Sequence, residues 1–469
     1  MSNGYKPYSR DQAFLLPPCM KDWLPKGDLA YFIADLSETL DLSEIDRYYQ
    51  AGKALSGQPP FHPRVMVGLL LYAYGLGTTS SRKIARLCER DLGYRIVSAD
   101  QQPNFRTVSE FRRIHLKALN GLFVQVLHLA REAGLVKLGH VALDGTKVKA
   151  NASKHKAMSY ARMGAAEQQL EAEVTALLAQ AEQVDVTEDA QYGKGRRGDE
   201  LPAELARRES RLRKIREAKA ALEQDAKARA TEAAEAARAK IDRREQRAAE
   251  TGRKPKGRPP RVPDPEQAQP DPKAQRNFTD PDSRIMKDGA TKAFEQAYNA
   301  QAAVDGQAQI IVAAAVTQEA NDKAQLVPML QQVEANLGER PAQASADAGY
   351  FSDANVTATQ LEGIELYVPP DRQPHGERPA PVSAPAPPGA SARDQMRHKL
   401  QTAEGQAVYR WRKAIVEPVF GQIKDGRGFR RFSFRGKAKV TWEWLLICLT
   451  HNLLKLFRAG VCLQAGCAA

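Results

Sequence analysis

The sequence predicts an α/β chain, in which a mixed β/α layer follows a helical N-terminal region and is interrupted by a long helical stretch. Three observations predict it. Residues 1–135 carry amphipathic and apolar runs of helical period. Residues 156–250 are dominated by Ala, Glu, Gln, Arg and Lys, with a thin apolar stripe. The rest supplies short apolar runs closed by Gly or Pro, alternating with amphipathic stretches, as strands alternating with helices would.

At 469 residues the chain is long enough for two or three domains. Its net charge of +13 and pI near 9.4 imply a polyanionic partner, most often nucleic acid, because the cations are concentrated in segments. Cys19, Cys88, Cys448, Cys462 and Cys467 are scattered without CxxC pairs, which excludes a disulfide frame and implies reduced, cytosolic thiols. His115, His128, His140, His155 and His451 have no carboxylate at i,i+4 that would suggest zinc. The N-terminus lacks a signal-peptide core. The most apolar run, 442–457, is interrupted by Glu443, His451, Asn452 and Lys455, so a buried helix is expected, not a membrane span.

In chain order, 29–40 is a short amphipathic helix and 63–74 is apolar nearly all round, as a core helix is. Gly75 and Gly77 make a turn, with Thr79 or Ser80 capping the next helix, which bears Arg82, Lys83 and Arg86. This pair is either a DNA-reading helix-turn-helix or a bundle with a basic face. Thr107 and Glu110 have capping-box spacing and open a helix to about Ala133. LGHVALDG is a strand that delivers Asp144 to a strand–turn junction.

Leu170, Val174 and Leu177 form one stripe, and Leu205, Leu212, Ile215 and Leu222 another, across a polar break at 185–200. That is a helical hairpin with a coiled-coil-like seam, or else a charged linker. A Pro-rich basic linker follows to 275. Asp280 and Asp282 offer Asx-turn caps, and Asp305–Gly306 signals a hairpin between two apolar strands. Next come an amphipathic helix over 321–337, a strand ending at Asp347, a helix over 353–361, a strand over 364–368, and a Pro/Ala/Ser-rich segment over 371–393. A long basic helix and an apolar C-terminal helix close the chain. Trp442 and Trp444 suit core packing better than insertion beside a base.

Between Tyr409 and Lys439 stand ten Lys/Arg and only two acids, Glu417 and Asp425. On a helix Arg410, Lys413, Glu417 and Lys424 share a face. Glu417 is then either an ion-pair hub or a metal ligand where Lys and Arg hold a polyanion. The second reading needs further carboxylates, because Mg²⁺ takes hard oxygen ligands. Asp144 and Asp347 each end a strand with glycine within two residues, either as turn residues or as such ligands. Asp280, Asp282, Asp322 and Asp353 compete with them. Pro418 either kinks the basic helix, the reading adopted, or begins it with Glu417 as cap.

VALDGTKVKANASKHKAMSY, ASADAGYFS and VEPVFGQIK, in that order, resemble the DDE-type transposases of bacterial insertion sequences, in the branch with a long helical insert after the first Asp. PRVMVGLLLYAYGLGTTSSRKI, NFTDPDSRIMK, YNAQAAVD, FRRFSFRG and EWLLICLTHNLLKL extend the resemblance over nearly the whole chain. It implies an RNase H-like mixed-sheet catalytic core, begun by 136–155 and completed by 276–460. A helical N-terminal domain over 1–135 would bind DNA ends, 156–275 would be the insert and linker, and 461–469 a tail. It places the catalytic, metal-binding triad on Asp144, Asp347 and Glu417, with two Mg²⁺ ions for which Mn²⁺ can stand in. The implied activity is cleavage at transposon ends and joining of the freed 3′-hydroxyl to target DNA, in a homodimer or larger assembly on double-stranded DNA, in the nucleoid-associated cytoplasm.

Lys147, Arg412, Lys424, Arg427, Arg430, Arg431 and Arg435 are the expected DNA contacts. The sequence departs from the family at one point. Related enzymes place Tyr and Arg where this chain has Arg410 and Lys413, with Tyr409 and Arg412 one residue early, while Glu417 and Lys424 match. The rival expectations are a Mg-dependent nuclease without strand transfer and a non-catalytic DNA-binding protein.

Overall fold

The computed structural model describes residues 19–50, 60–192, 203–252, 257–289, 291–371, 380–383, 387 and 389–461, without the side chains of 21, 180–192 and 203–205. The polar break beyond 192, much of the Pro/Ala/Ser-rich segment, Cys462, Cys467, the tail and the side chain of Leu205 lie outside them. The chain divides into two compact units, 149–298 and the remainder.

The larger unit begins with helices α1 (Leu29–Thr39), α2 (Ser43–Tyr48), α3 (Pro63–Gly75), α4 (Ser81–Arg90), α5 (Leu92–Val97), α6 (Phe105–His115) and α7 (Leu119–Glu132). Asp28 caps α1 by accepting from Ala30 N at 2.8 Å. α3 starts on Pro63, where a missing N–H costs nothing, and is buried from Met66 to Gly75, as its all-round apolarity requires. Gly77 has φ +73°, and a Cβ there would stand 2.2 Å from Arg427 O. Only glycine fits that turn. Ser80 caps α4, leaving Arg82, Lys83 and Arg86 exposed. The expected helix from Thr107 to Ala133 is two helices, and its cap is Asn104, whose Oδ1 accepts from Arg106 N and Thr107 N. Glu110 pairs with Arg113 instead of closing a capping box. Strand β1 (His140–Lys149) follows.

In the smaller unit β2 (Ala157–Ser159), which leads into the long helix α8 (Tyr160–Tyr192), pairs antiparallel with β3 (Gln275–Asn277), which comes after the long helix α9 (Ala203–Thr251) in the chain. Met163, Leu170, Leu212, Ile215 and Leu222 form their buried seam, while Val174 and Leu177 are half-buried. Glu167 holds Lys219 at 2.7 Å and Arg216 at 3.1 Å along its edge. Strand β4 (Arg284–Lys287) pairs antiparallel with the start of β5 (Phe294–Asp305). Asp280 is not an Asx cap. It is fully buried and accepts from Tyr298 Oη at 2.8 Å, while Asn277 caps that turn.

From Asn299 the chain rejoins the larger unit. It adds β6 (Ile311–Thr317), α10 (Leu326–Leu337), β7 (Gln343–Ser345), α11 (Asp353–Val356), β8 (Glu365–Tyr367), α12 (Ala392–Gln401), α13 (Ala403–Gly421) and α14 (Lys437–Arg458). The strand order is β6-β5-β1-β7-β8. β5 and β6 are antiparallel, whereas β1–β7 and β7–β8 are parallel. Gly306 N donates to His140 O, joining the end of β5 to the start of β1, so that pair is antiparallel too. The β5–β6 connection runs from Gly306 to Ile310, because Asp305 folds onto Gln307 N and Leu138 N, making the loop longer than a two-residue hairpin.

α14 packs on α3, α7 and β6. Trp444 is buried and donates to Gln301 O at 2.9 Å, and Trp442 is half-buried. Asn452 bridges both backbone groups of Ile311. α13 runs on through Pro418, so no new helix begins there with Glu417 as its cap. Pro418 leaves Ala414 O without its i+4 donor, and Gln309 Nε2 supplies one at 2.9 Å. The helical register changes just beyond, in a π-helical turn over Gln422–Gly426. Among the described residues no helix is long and apolar enough to cross a membrane.

Candidate active site

Two acids meet where the parallel strands run out. β1 pairs with β7 from His140↔Gln343 to Ala142↔Ser345, a constant offset of 203. Two residues beyond the last pair, Asp144 on β1 and Asp347 just past β7 lie close enough for the Asp347 charge to act on Asp144. Asp144 does not end its strand. β1 continues to Lys149, because Gly145 stays in the ladder beside β5. Asp347 lies just past β7, where it caps a 3₁₀ turn by accepting from Gly349 N at 2.8 Å.

Burial pushes the Asp144 carboxyl up to about 6. Arg412 and Gly145 N pull against that shift, and Asp347 and Asp322 add to it. Burial also raises Asp347, against Gly349 N and Arg412. Arg412 Nη1 stands 3.4 Å from Asp144 Oδ2, with its side chain 6% exposed. Burial works against the Arg412 charge, but Asp144, Tyr409, Asp347 and Glu417 outweigh it and hold its pKa up. Lys147 is lowered by burial and supported by Asp322, Asp144 and Asp347.

Asp322 is the residue that sequence reasoning left among the competitors. It enters from the loop after β6, where Oδ1 accepts from Asn299 Nδ2 and Gln301 Nε2, both at 2.6 Å. Tyr350 Oη donates to Gln301 Oε1 beneath them. The available signal was Asn299 and Gln301 themselves, two amides at strand spacing in a buried run, which need partners.

Glu417 is exposed on α13 with Arg410 and Lys413, and it forms no ion pair among the described residues, so it is not an ion-pair hub. Five residues separate it from Arg412, which turns it about 140° round the helix from the side that meets Asp144. Lys424 Nζ donates to Lys147 O at 2.7 Å, tying the π-helical turn after α13 to β1. Two expected DNA contacts face inward. Arg412 is buried on Asp144, and Arg427 donates to Thr450 Oγ1 at 2.9 Å and Ile447 O at 3.2 Å, with burial lowering it to about 10. Arg430, Arg431 and Arg435 are exposed, with Arg430 on Asp425.

Carboxylate oxygens of this kind suit a hard divalent cation. Among the described residues no three His, Cys, Asp or Glu converge as a ready metal cage, and Arg412 occupies the cation's place beside Asp144.

Two family models match the chain. Residues 18–113 match one described as Transposase domain (DUF772), and residues 385–457 match one described as Transposase DDE domain. Comparison with curated proteins and with solved structures finds no match. With a transposase domain matched towards each end, the two family models support a DDE-type transposase of insertion sequences.

Proposed function

We propose that this transposase cuts the phosphodiester at its element's end and joins the freed 3′-hydroxyl to target DNA, using an RNase H-like layer and the acids Asp144, Asp347 and Glu417. The observation that supports this reading is that Asp144 and Asp347 follow the paired ends of the parallel strands β1 and β7, near enough for the Asp347 charge to act on Asp144. The strand order supports the fold, with three antiparallel strands followed by two parallel ones.

The three carboxylates would hold two divalent ions, Mg²⁺ or Mn²⁺, whose chemistry is to acidify an attacking water or hydroxyl and to stabilise the leaving oxygen. The protein's own part is positional. Asp144 and Asp347 present oxygens from a half-buried edge. Arg412 exchanges Asp144 for a DNA phosphate as substrate arrives. Arg430, Arg431 and Arg435 track the backbone, with Lys424 and Lys147 near the cut end. The N-terminal helices help to recognise the terminal repeats, and α8 and α9 contact DNA or a second protomer. Joining two ends calls for at least a dimer.

The test is cleavage of a labelled duplex carrying the element's own end, with Mg²⁺, by the wild type, Asp144→Asn and Glu417→Gln. Nicking that both substitutions abolish, with DNA binding intact, supports the reading. Equal nicking by all three proteins overturns it. Joined products in a target plasmid separate a transposase from a nuclease.

A further inference from the structure

We infer that the recess between the start of α1, the end of α3 and the last turns of α14 binds a small polyphosphate, free or as the tail of a nucleotide. The inference does not rest on the proposed chemistry at Asp144 and Asp347.

The recess is a cavity of about 410 Å³, a size that holds one small molecule. Leu29 and Leu76 wall it from the first helices, and Leu454 and Phe457 wall it from α14. Leu76 is 50% exposed, so part of this apolar wall is uncovered. Three cations line the same space from two elements. Arg427 follows directly on the π-helical turn, and Lys455 and Arg458 stand on α14.

These cations have donors left for an anion. Arg427 uses Nη1 on Thr450 Oγ1 and Nη2 on Ile447 O, and Lys455 donates to Gln309 Oε1. A guanidinium has five N–H groups and an ammonium three, so neither is exhausted. Arg458 forms no hydrogen bond or ion pair among the described residues. The charges also act on one another. Burial lowers Arg427 to about 10 and Arg458 adds to the shift, while burial and then Arg458 lower Lys455. Among the described residues no carboxylate offsets either shift. A multiply charged anion relieves such crowding, and phosphate oxygens fit both the Arg fork and the Lys point charge.

The last turn of α14 offers Lys455 and Arg458 a purely structural role, because cations there complement the helix dipole. That role does not account for Arg427, which brings a third charge into the recess from another element. A duplex is convex and presents its phosphates along a surface. A polyphosphate instead carries several charges into one enclosed space.

The measurement is calorimetric titration of the full chain with ADP, pyrophosphate and adenosine, at low salt with EDTA to exclude divalent cations. Lys455→Gln/Arg458→Gln is expected to weaken ADP and pyrophosphate at least ~10-fold. Leu76→Glu sets a carboxylate at the cavity from an exposed position and should weaken both without touching a cation. Arg90→Gln/Lys117→Gln removes the same charge from exposed positions outside the cavity and should bind as wild type. ADP binding tighter than pyrophosphate assigns the apolar wall to a nucleoside, and ADP no tighter assigns the site to free polyphosphate. No saturable binding of either to wild type overturns the inference. So does undiminished binding by Lys455→Gln/Arg458→Gln, or equal weakening by the control pair. Adenosine as tight as ADP overturns it too, because the phosphates would then contribute nothing. A duplex that displaces ADP, and loses as much affinity in Lys455→Gln/Arg458→Gln, overturns the small-ligand assignment and puts the cavity on the path of the DNA.

Discussion

Arg412 Nη1 lies 3.4 Å from Asp144 Oδ2, a long contact between a buried guanidinium and a half-buried carboxylate that leaves Asp144 raised to about 6. The arginine therefore offsets only part of the cost of burying the carboxylate. A folded-state pKa above the unfolded value means that stability from this group is present below about pH 4 and is lost as pH rises through 6. Asp144→Asn mimics the protonated form. It is expected to be more stable than wild type by ~2–3 kcal/mol at pH 7, with most of the difference gone by pH 4. Urea unfolding at the two pH values measures it. A variant less stable than wild type at pH 7 would mean that the ion pair outweighs desolvation.

Gln309 is a second consequence of local covalent chemistry. Its Nε2 serves the carbonyl that Pro418 orphans, and its Oε1 accepts from Lys455 Nζ at 2.8 Å. Gln309→Ala is expected to cost ~1–2 kcal/mol. In the Pro418→Ala background part of that cost should vanish, because residue 418 regains an N–H for Ala414 O. Purely additive effects in the double-mutant cycle would show that Gln309 acts only through Lys455.

Asp347 was legible because Asp-Ala-Gly after a short apolar run is a local signal, and the strand does end there. Asp144 looked the same and was not. Gly145 marks a close approach by Gln301 and Asp322 rather than a turn, and those partners lie far along the chain. The N-cap at Asn104 was missed because Thr107 and Glu110 matched a capping motif that the fold leaves unused. On α13 the charges were readable but their phase was not. Tyr409 and Arg412 turn inward while Arg410, Lys413 and Glu417 stay exposed, and only packing against β7 and β8 decides which side is which. Asp322 was visible as an acid, but nothing near it says that two amides on β5 select it.

Glu443 joins the first helices to the last. Its carboxylate accepts from Ser433 N at 2.9 Å, Phe434 N at 3.1 Å and Tyr74 Oη at 3.4 Å, while Arg112 donates to the same Tyr74 oxygen. Burial raises it against those donors and Arg112. Glu443→Ala leaves the Ser433 and Phe434 N–H groups without their acceptor and Arg112 without its nearby carboxylate, and is expected to cost ~3–5 kcal/mol. Glu443→Gln keeps an acceptor and should cost less. Equal losses in chemical unfolding would show that the charge, and not the acceptor, holds the joint.

The basic face of α4 separates a DNA-contacting helix from an ordinary bundle helix. Ile84 and Cys88 are buried, which sets Arg82, Lys83 and Arg86 outward with no ion pair among the described residues. Each phosphate these side chains neutralise releases condensed counterions, so each contributes about 0.9 to the slope of log affinity against log salt. Replacing all three with Gln should flatten that slope by about 2 to 3 in duplex-binding titrations. Because the three are exposed, unfolding stability should stay within ~0.5 kcal/mol of wild type. An unchanged slope assigns α4 to packing alone and leaves Arg430, Arg431 and Arg435 as the principal exposed cations for the backbone.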